Sequence, residues 1–277
     1  MSNWLPKLTY RVWLVWRRNL EVFRKTLFVN FLPALLEPIL YLAAFGLGFG
    51  ALLGSSTLPG YNESYIQFIA PGLIAIAVMY GSFFECTYAS FVRMYFQKTF
   101  DAIIATPVSV EEVIAGELLW GATRAAINGT IVLAVVAAVG VFSKPLVTTP
   151  FAILVPIVAF FGGLMFSSIA MCFTASAKTI DFFNFPTFLF ITPMFLVSNT
   201  FFPLAVAHSK PLEAVALAVF PLTHVVDMTR ALMSGNIGSL AGLNSTAMWI
   251  LAIVWVAIVT LVFFVLAIHQ MKKKLIK

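Results

Sequence analysis

Charge is what this 277-residue chain has least of: Asp, Glu, Lys and Arg make up 10% of it, against 61% hydrophobic residues. A soluble domain carries about 25% charged residues. One core cannot enclose so large an apolar share, so the excess must face lipid, and an ordinary soluble domain is excluded. Cysteine is nearly absent. Cys86 and Cys172 both fall in apolar stretches, which argues for packing and against a disulfide. There is no GxxxxGK[ST] phosphate loop, no HExxH and no GxSxG, so the usual signatures of ATP hydrolysis, zinc proteolysis and serine hydrolysis are missing. His208, His224 and His269 are scattered without metal-ligand spacing, and no metal or catalytic site is expected. The basic N-terminus is not followed by a short apolar core and a cleavage site, so the first span is expected to act as its own insertion signal.

What is present is long apolar helix. A bilayer crossing takes about 20 apolar residues. Six stretches qualify, at about 31–54, 65–92, 117–142, 150–177, 182–205 and 246–269. The expected fold is therefore all-α, a polytopic membrane protein with six transmembrane helices. The net charge of +6 would suggest nucleic acid on a soluble protein. Here it sits beside the spans, and no nucleic-acid partner is expected. Lys and Arg divide 13 to 3 between the two sides, with Arg124 inside a span. By the positive-inside rule both termini are expected in the cytoplasm.

No repeat or low-complexity segment stands out, and 1–277 reads as a single domain. Residues 1–30 form a cytoplasmic interfacial helix, 31–205 carry the first five spans, 206–245 form an outer segment, and 246–277 hold the last span and a basic tail. In the interfacial helix Trp4, Leu8, Val12, Val15, Phe23 and Leu27 recur near helical spacing, while Lys7, Arg11, Arg18 and Lys25 lie largely on another face. Such a helix lies in the membrane plane; a soluble helix packing on a partner fits the same pattern. The outer segment has two short helices, Leu212–Val219 and Thr223–Leu232, punctuated by Pro203, Pro211 and Pro221. Its apolar character suggests hairpins dipping back into the outer leaflet, although two helices lying on the surface also satisfy it.

The first loop, 93–116, has internal order. Arg93 to Ala105 is expected as a short helix, broken by Thr106-Pro107. Ser109-Val110-Glu111-Glu112 has capping-box spacing and starts the next helix. A helix, a break and a capped helix make a firm knob suited to docking a partner; a plain connector has the same pattern.

Ionisable groups inside spans are costly and therefore informative. They are Glu37, Glu85 and Arg124. Glu85 precedes Val92 by seven residues, and Arg124 follows Glu117 by seven. Equal depth and opposite sign predict a Glu85–Arg124 ion pair between the second and third spans. Glu37 lies between Pro33 and Pro38. Tyr80, Phe84, Tyr88 and Phe91 make one helical stripe, and Phe185 and Phe188 belong to an aromatic-rich fifth span; Glu37, Tyr80, Phe84, Tyr88, Phe185 and Phe188 are the candidate pathway-lining residues, with lipid contact as the plainer reading of the aromatics. Gly46, Gly50 and Gly54 have GxxxG spacing suited to close helix contact. His224 and Asp227, three apart, are expected to make an outer-surface contact.

This layout resembles the permease subunit of type-2 ABC exporters. FFECTYASFVRMYFQKTFDAIIATPVSVEEVIAGELLWGATRA at 83–125 is similar to the second span, coupling loop and third span of that family. FFPL at 201–204 and FPLTHVVDMTRALMSG at 220–235 resemble its late outer segment. The likeness is strongest to the nodulation protein J branch, whose members export lipo-oligosaccharides. The resemblance implies a homodimer with two copies of a cytoplasmic ABC ATPase, which would hold the ATP and Mg; this chain would bind no cofactor. It also implies a bacterial inner-membrane location and an amphiphilic or glycolipid substrate taken from the cytoplasm or inner leaflet. Arg93, Tyr95, Phe96, Lys98, Thr99, Phe100, Asp101, Thr106 and Pro107 would form the ATPase-coupling loop. The first and fifth spans would face the pathway or the dimer seam. Two rivals remain: an ion-coupled secondary transporter using Glu37 or Glu85, which predicts inverted repeats, and a membrane-embedded lipid-modifying enzyme, which needs clustered polar residues at one membrane face.

Overall fold

Thr26 and two prolines shape the beginning of the chain. A computed structural model describes residues 8–49, 64–142, 145–203, 210–235 and 245–276. The first helix, α1 (Arg11–Lys25), stops where Thr26 leaves helical space at φ −109° and ψ 15°. The chain restarts at once as α2 (Leu27–Tyr41), which contains Pro33 and Pro38. Each proline removes a backbone donor and crowds the preceding turn, and the helix continues in wide π-type turns over Leu42–Phe49. A capping box opens α3 (Tyr65–Phe84): the Ser64 amide donates to Gln67 Oε1 at 3.0 Å. This helix also continues through two π-type segments, Glu85–Ala89 and Val92–Phe96.

After the short α4 (Thr99–Ile104) comes α5 (Val110–Phe142), then α6 (Val155–Ser176) and the irregular α7 (Ile180–Val197). Two shorter helices, α8 (Lys210–Val219) and α9 (Pro221–Ser234), precede the last, α10 (Ser245–Leu275). Among the described residues there is no strand.

Among the described residues six helices are long and apolar enough to cross a membrane: Leu27–Phe45, Tyr65–Phe96, Val110–Val141, Pro150–Ser176, Ile180–Val197 and Thr246–Leu275. The six expected spans are all present, with shifted ends. The third starts at Val110 because the helix capped by Ser109 runs on into the span without a break. At 1.5 Å per residue its 33 residues reach about 50 Å, so it projects well beyond a hydrocarbon layer of about 30 Å.

Packing centres on α6, which touches α3, α5 and α10. Small residues make the close approach possible: Gly163 faces Ala122 and Ala125, and Gly121 faces Ser167 and Cys86. Around these contacts Phe83, Phe100, Met165, Phe166 and Phe183 are fully enclosed. The outward side of α10 exposes Ile250, Ile253, Ile258 and Leu261, as a lipid-facing helix does. Cys86 and Cys172 are both free, the first buried and the second half-buried. Of the expected glycine motif, Gly50 and Gly54 lie outside the described residues.

In the outer segment the departures from expectation concern single residues. Both of its helices form, but α9 is no surface element. Residues 221 to 233 are buried, packed against α3, α6 and α10. Its end is tied down where the Thr148 amide donates to Met233 O at 2.9 Å and Gly235 turns the chain at φ 76°. His224 and Asp227 therefore make no outer-surface contact, nor do they pair. His224 Nε2 lies 2.9 Å from Leu217 O and its ring stacks on Trp255, while Asp227 Oδ1 lies 3.5 Å from Arg230 Nη1. Arg230, counted by sequence among the loop cations, is 0% exposed. Its guanidinium donates to Asn199 O at 2.9 Å and covers the Phe68 ring. Along α9, Thr223, His224 Nε2 and Arg230 reach backbone carbonyls inside the bundle, whereas His224 Nδ1 has no hydrogen-bond partner among the described residues.

Candidate functional site

The loop after the second span is built as a bent knob. One continuous helix from Arg93 to Ala105 does not form: Lys98 takes a left-handed conformation, φ 53°, and splits it. Phe100 is fully buried and anchors α4 from beneath. Phe96, Lys98, Asp101, Thr106 and Pro107 stand out to solvent, Tyr95 borders it, and Thr99 is half-buried. The expected cap is present on the far side, with the Ser109 amide donating to Glu112 Oε2 at 2.8 Å and the Glu112 amide to Ser109 Oγ at 3.3 Å.

Two other parts of the chain hold this knob. Arg11 of α1 donates to the Pro107 carbonyl. From the C-terminal end, Lys272 Nζ meets Glu111 Oε1 at 2.6 Å, and Lys274 donates to Ala177 O at 2.6 Å while lying over the Tyr95 ring.

Arg93, placed by sequence in the loop, belongs to its root inside the bundle. Its Nη1 lies 2.8 Å from Glu85 Oε1 and its Nη2 2.6 Å from Glu117 Oε2. Ser90 Oγ donates to the same Glu117 oxygen at 2.7 Å, and Asn19 Nδ2 reaches the other at 2.7 Å. Trp120 Nε1 donates to Glu85 Oε1 at 2.9 Å. The predicted Glu85–Arg124 pair exists at 3.5 Å but is the weaker arm: Arg124 also donates to Asn30 at 3.2 Å and lies over the Phe23 ring. In a regular helix Arg93 would sit about 80° around from Glu85; the wide turns between them rotate it back. Glu117, Asn19, Trp120 and Asn30 were missed by sequence reasoning. Glu117 precedes Arg124 by two helical turns, a signal that could have placed both on one face.

Helix α1 docks on α5 through Val12, Val15 and Asn19, its buried residues. Val12 and Val15 press on Gly116, where no side chain would fit without displacing them. Trp13, Leu14 and Arg17 are exposed. Arg11 and Arg18 were expected on a separate basic face, but they flank the packed stripe. Burial lowers the Arg18 pKa from its ordinary value; the nearby Glu117 opposes this and Arg93 adds to it.

Between α1, α2, α3 and α5 lies a cavity of about 980 Å³. Its charged end carries Arg18, Glu85, Arg93 and Arg124. Glu37, Tyr80, Phe84 and Tyr88 line the rest, with Tyr80 stacked on Phe84 at 5.4 Å. Phe91 leaves the expected stripe and packs in the core against Phe183, because the wide turn at Glu85–Ala89 shifts the register. Phe185 and Phe188 do not line this cavity. They are 65% and 69% exposed; Thr187, between them in sequence, is the α7 residue that reaches it. Among the described residues no cluster suited to a metal ion occurs.

A family model described as ABC-2 type transporter matches residues 10–234. The chain belongs to the ABC-2 type transporter family. It is 35% identical over 248 residues to Nodulation protein J of Rhizobium meliloti, covering 87% of each chain. It is 36% identical over 238 residues to Nodulation protein J of Rhizobium leguminosarum bv. viciae, covering 84% of this chain and 83% of that one. The Inner membrane transport permease YadH of Escherichia coli is 26% identical over 191 residues, 69% of this chain and 70% of its own. No solved structure matches the chain. With six span-length helices and this family, it is a multi-pass membrane protein and an ABC-2 permease.

Proposed function

We propose that this permease is the membrane half of an ATP-driven exporter of the bacterial inner membrane, with both termini cytoplasmic and no catalysis of its own. Two copies would join two copies of a separate ABC ATPase, on which ATP and Mg are bound. The cargo is an amphiphile of the lipo-oligosaccharide or glycolipid class, by analogy with the nodulation proteins it is similar to. The observation that carries the reading is Arg93: the exposed knob at 96–107 is rooted in a residue clamped to both the second and third spans. A push on the knob would therefore reach the helices that wall the cavity. The cavity itself suits an amphiphile, with charge at one end and aromatic rings along its side.

The test is co-expression and purification with a candidate ABC ATPase subunit, followed by reconstitution. The expected result is co-purification, with ATP-dependent accumulation of labelled glycolipid in inverted vesicles that is abolished by Asp101→Arg/Thr106→Arg on the knob. Proton-driven flux by the permease alone would overturn the reading. Against that rival, Glu85 is engaged by Arg93, Arg124 and Trp120 in contacts that tie the second and third spans together.

A further inference from the structure

A second groove lies on the outside of the bundle, away from the cavity. Phe31 and Leu35 of α2 form one wall, Ile127 and Ile131 of α5 the other, and Phe160 closes its side. Ala126 and Ala134 keep its floor low, and its volume is 570 Å³. The two hydroxyls in the lining are spent on their own helix: Thr123 Oγ1 donates to Leu119 O at 2.8 Å and Thr130 Oγ1 to Ala126 O at 2.6 Å. Both threonines therefore offer methyl groups, and the groove asks for an apolar occupant.

Its length and position indicate which. Trp16 Nε1 donates to Thr123 Oγ1 at 2.8 Å, with Trp13 stacked behind it at 4.1 Å. Paired tryptophans mark the membrane–water interface, so Thr123 sits at that level. From Thr123 to Ala134 the groove runs about 16 Å along α5, close to the depth of one hydrocarbon leaflet, about 15 Å. At its interfacial end Phe31 lies five residues past Thr26, where α2 joins the last turn of α1. Arg24 and Lys25 are exposed in the last turn of α1, and neither forms an ion pair among the described residues.

We infer that this groove binds one acyl chain of an anionic phospholipid from the leaflet bordering α1, with the headgroup phosphate held by Arg24 and Lys25. Charge complementarity selects the lipid over a second protein copy: an apolar slot of one-leaflet depth opens near the helix turn that carries two exposed cations, at the level of a headgroup phosphate. The bound chain would wedge α2 against α5 beside the Asn30–Arg124 contact.

The test uses native mass spectrometry of the detergent-purified protein titrated with phosphatidylglycerol and with phosphatidylcholine of the same chains. Phosphatidylglycerol is expected to bind preferentially, one per protomer. Arg24→Ala should weaken it about fivefold, the effect of one interfacial cation, while leaving phosphatidylcholine unchanged. Ala134→Phe, at an exposed position that tolerates bulk, should remove binding of both lipids. Equal binding of the two lipids, or undiminished binding to Ala134→Phe, would overturn the inference. So would efficient disulfide trapping of two copies through Ala134→Cys in membranes, which would make the groove a protein seam. None of these readouts depends on transport, so the inference stands or falls apart from the proposed cargo.

Discussion

Arg93 and Glu117 meet at 2.6 Å between the second and third spans, and Glu117 is fully buried there. Removing the cation strands a carboxylate in the bundle, which costs about 3–5 kcal/mol. Arg93→Met is therefore expected to lower the unfolding temperature in detergent markedly. Arg93→Met combined with Glu117→Leu should recover much of the loss, because Glu85 keeps Arg124 and Trp120. Scanning calorimetry on the three proteins checks this. If the double variant is no more stable than the single, the pair is not the cause.

Arg124 should matter less. Its distance to Glu85 is 3.5 Å, and Asn30 and Phe23 share it. Arg124→Ala is expected to cost about 1 kcal/mol. The double reversal Glu85→Arg/Arg124→Glu should stay defective, since an arginine at position 85 would face Arg93. Restored stability in that double variant would show the Glu85–Arg124 arm to be dominant.

The six spans were legible by length alone, and the Ser109–Glu112 cap by its spacing. The charged cluster was legible only in part. Glu85 and Arg124 announced themselves as charges inside apolar runs, whereas Arg93 and Glu117 sit at span ends, where charge is unremarkable. What joined them were π-type turns, which no periodicity based on 3.6 residues can anticipate. The depth of α9 was hidden for a different reason: Arg230 reaches a backbone carbonyl of a distant segment, Asn199 O, which no local pattern announces. The outward aim of Phe185 and Phe188 was likewise set by irregular turns in α7.

Gly116 is the contact point of α1 on the third span. A side chain there would collide with Val15, whose Cβ lies 2.6 Å from the place a new Cβ would occupy. Gly116→Leu should detach α1 while leaving the spans intact. The measurement is labelling of Val15→Cys by a membrane-impermeant maleimide: slow in the parent, several-fold faster with Gly116→Leu. Unchanged labelling would mean that Asn19 and Trp16 suffice to hold the helix.

Lys98 spends energy on its backbone. A left-handed conformation costs a non-glycine residue roughly 1–2 kcal/mol, so Lys98→Gly should make the knob more stable and Lys98→Val less so. Hydrogen exchange of the 99–104 amides reads the change. Faster exchange in the glycine variant would mean that the Lys98–Asp101 pair, at 3.9 Å, outweighs the strain.

The enclosure of α9 bears on how the protein is made. His224 leaves the ribosome before its stacking partner Trp255, yet one wall of the α9 chamber is α10, which is synthesised after it. Until that helix inserts, a charged hairpin waits at the membrane half-sheltered, exposed to quality-control proteases. Assembly is therefore sealed by α10, and a chain cut short before residue 245 would open the α9 chamber rather than merely lack one separate helix.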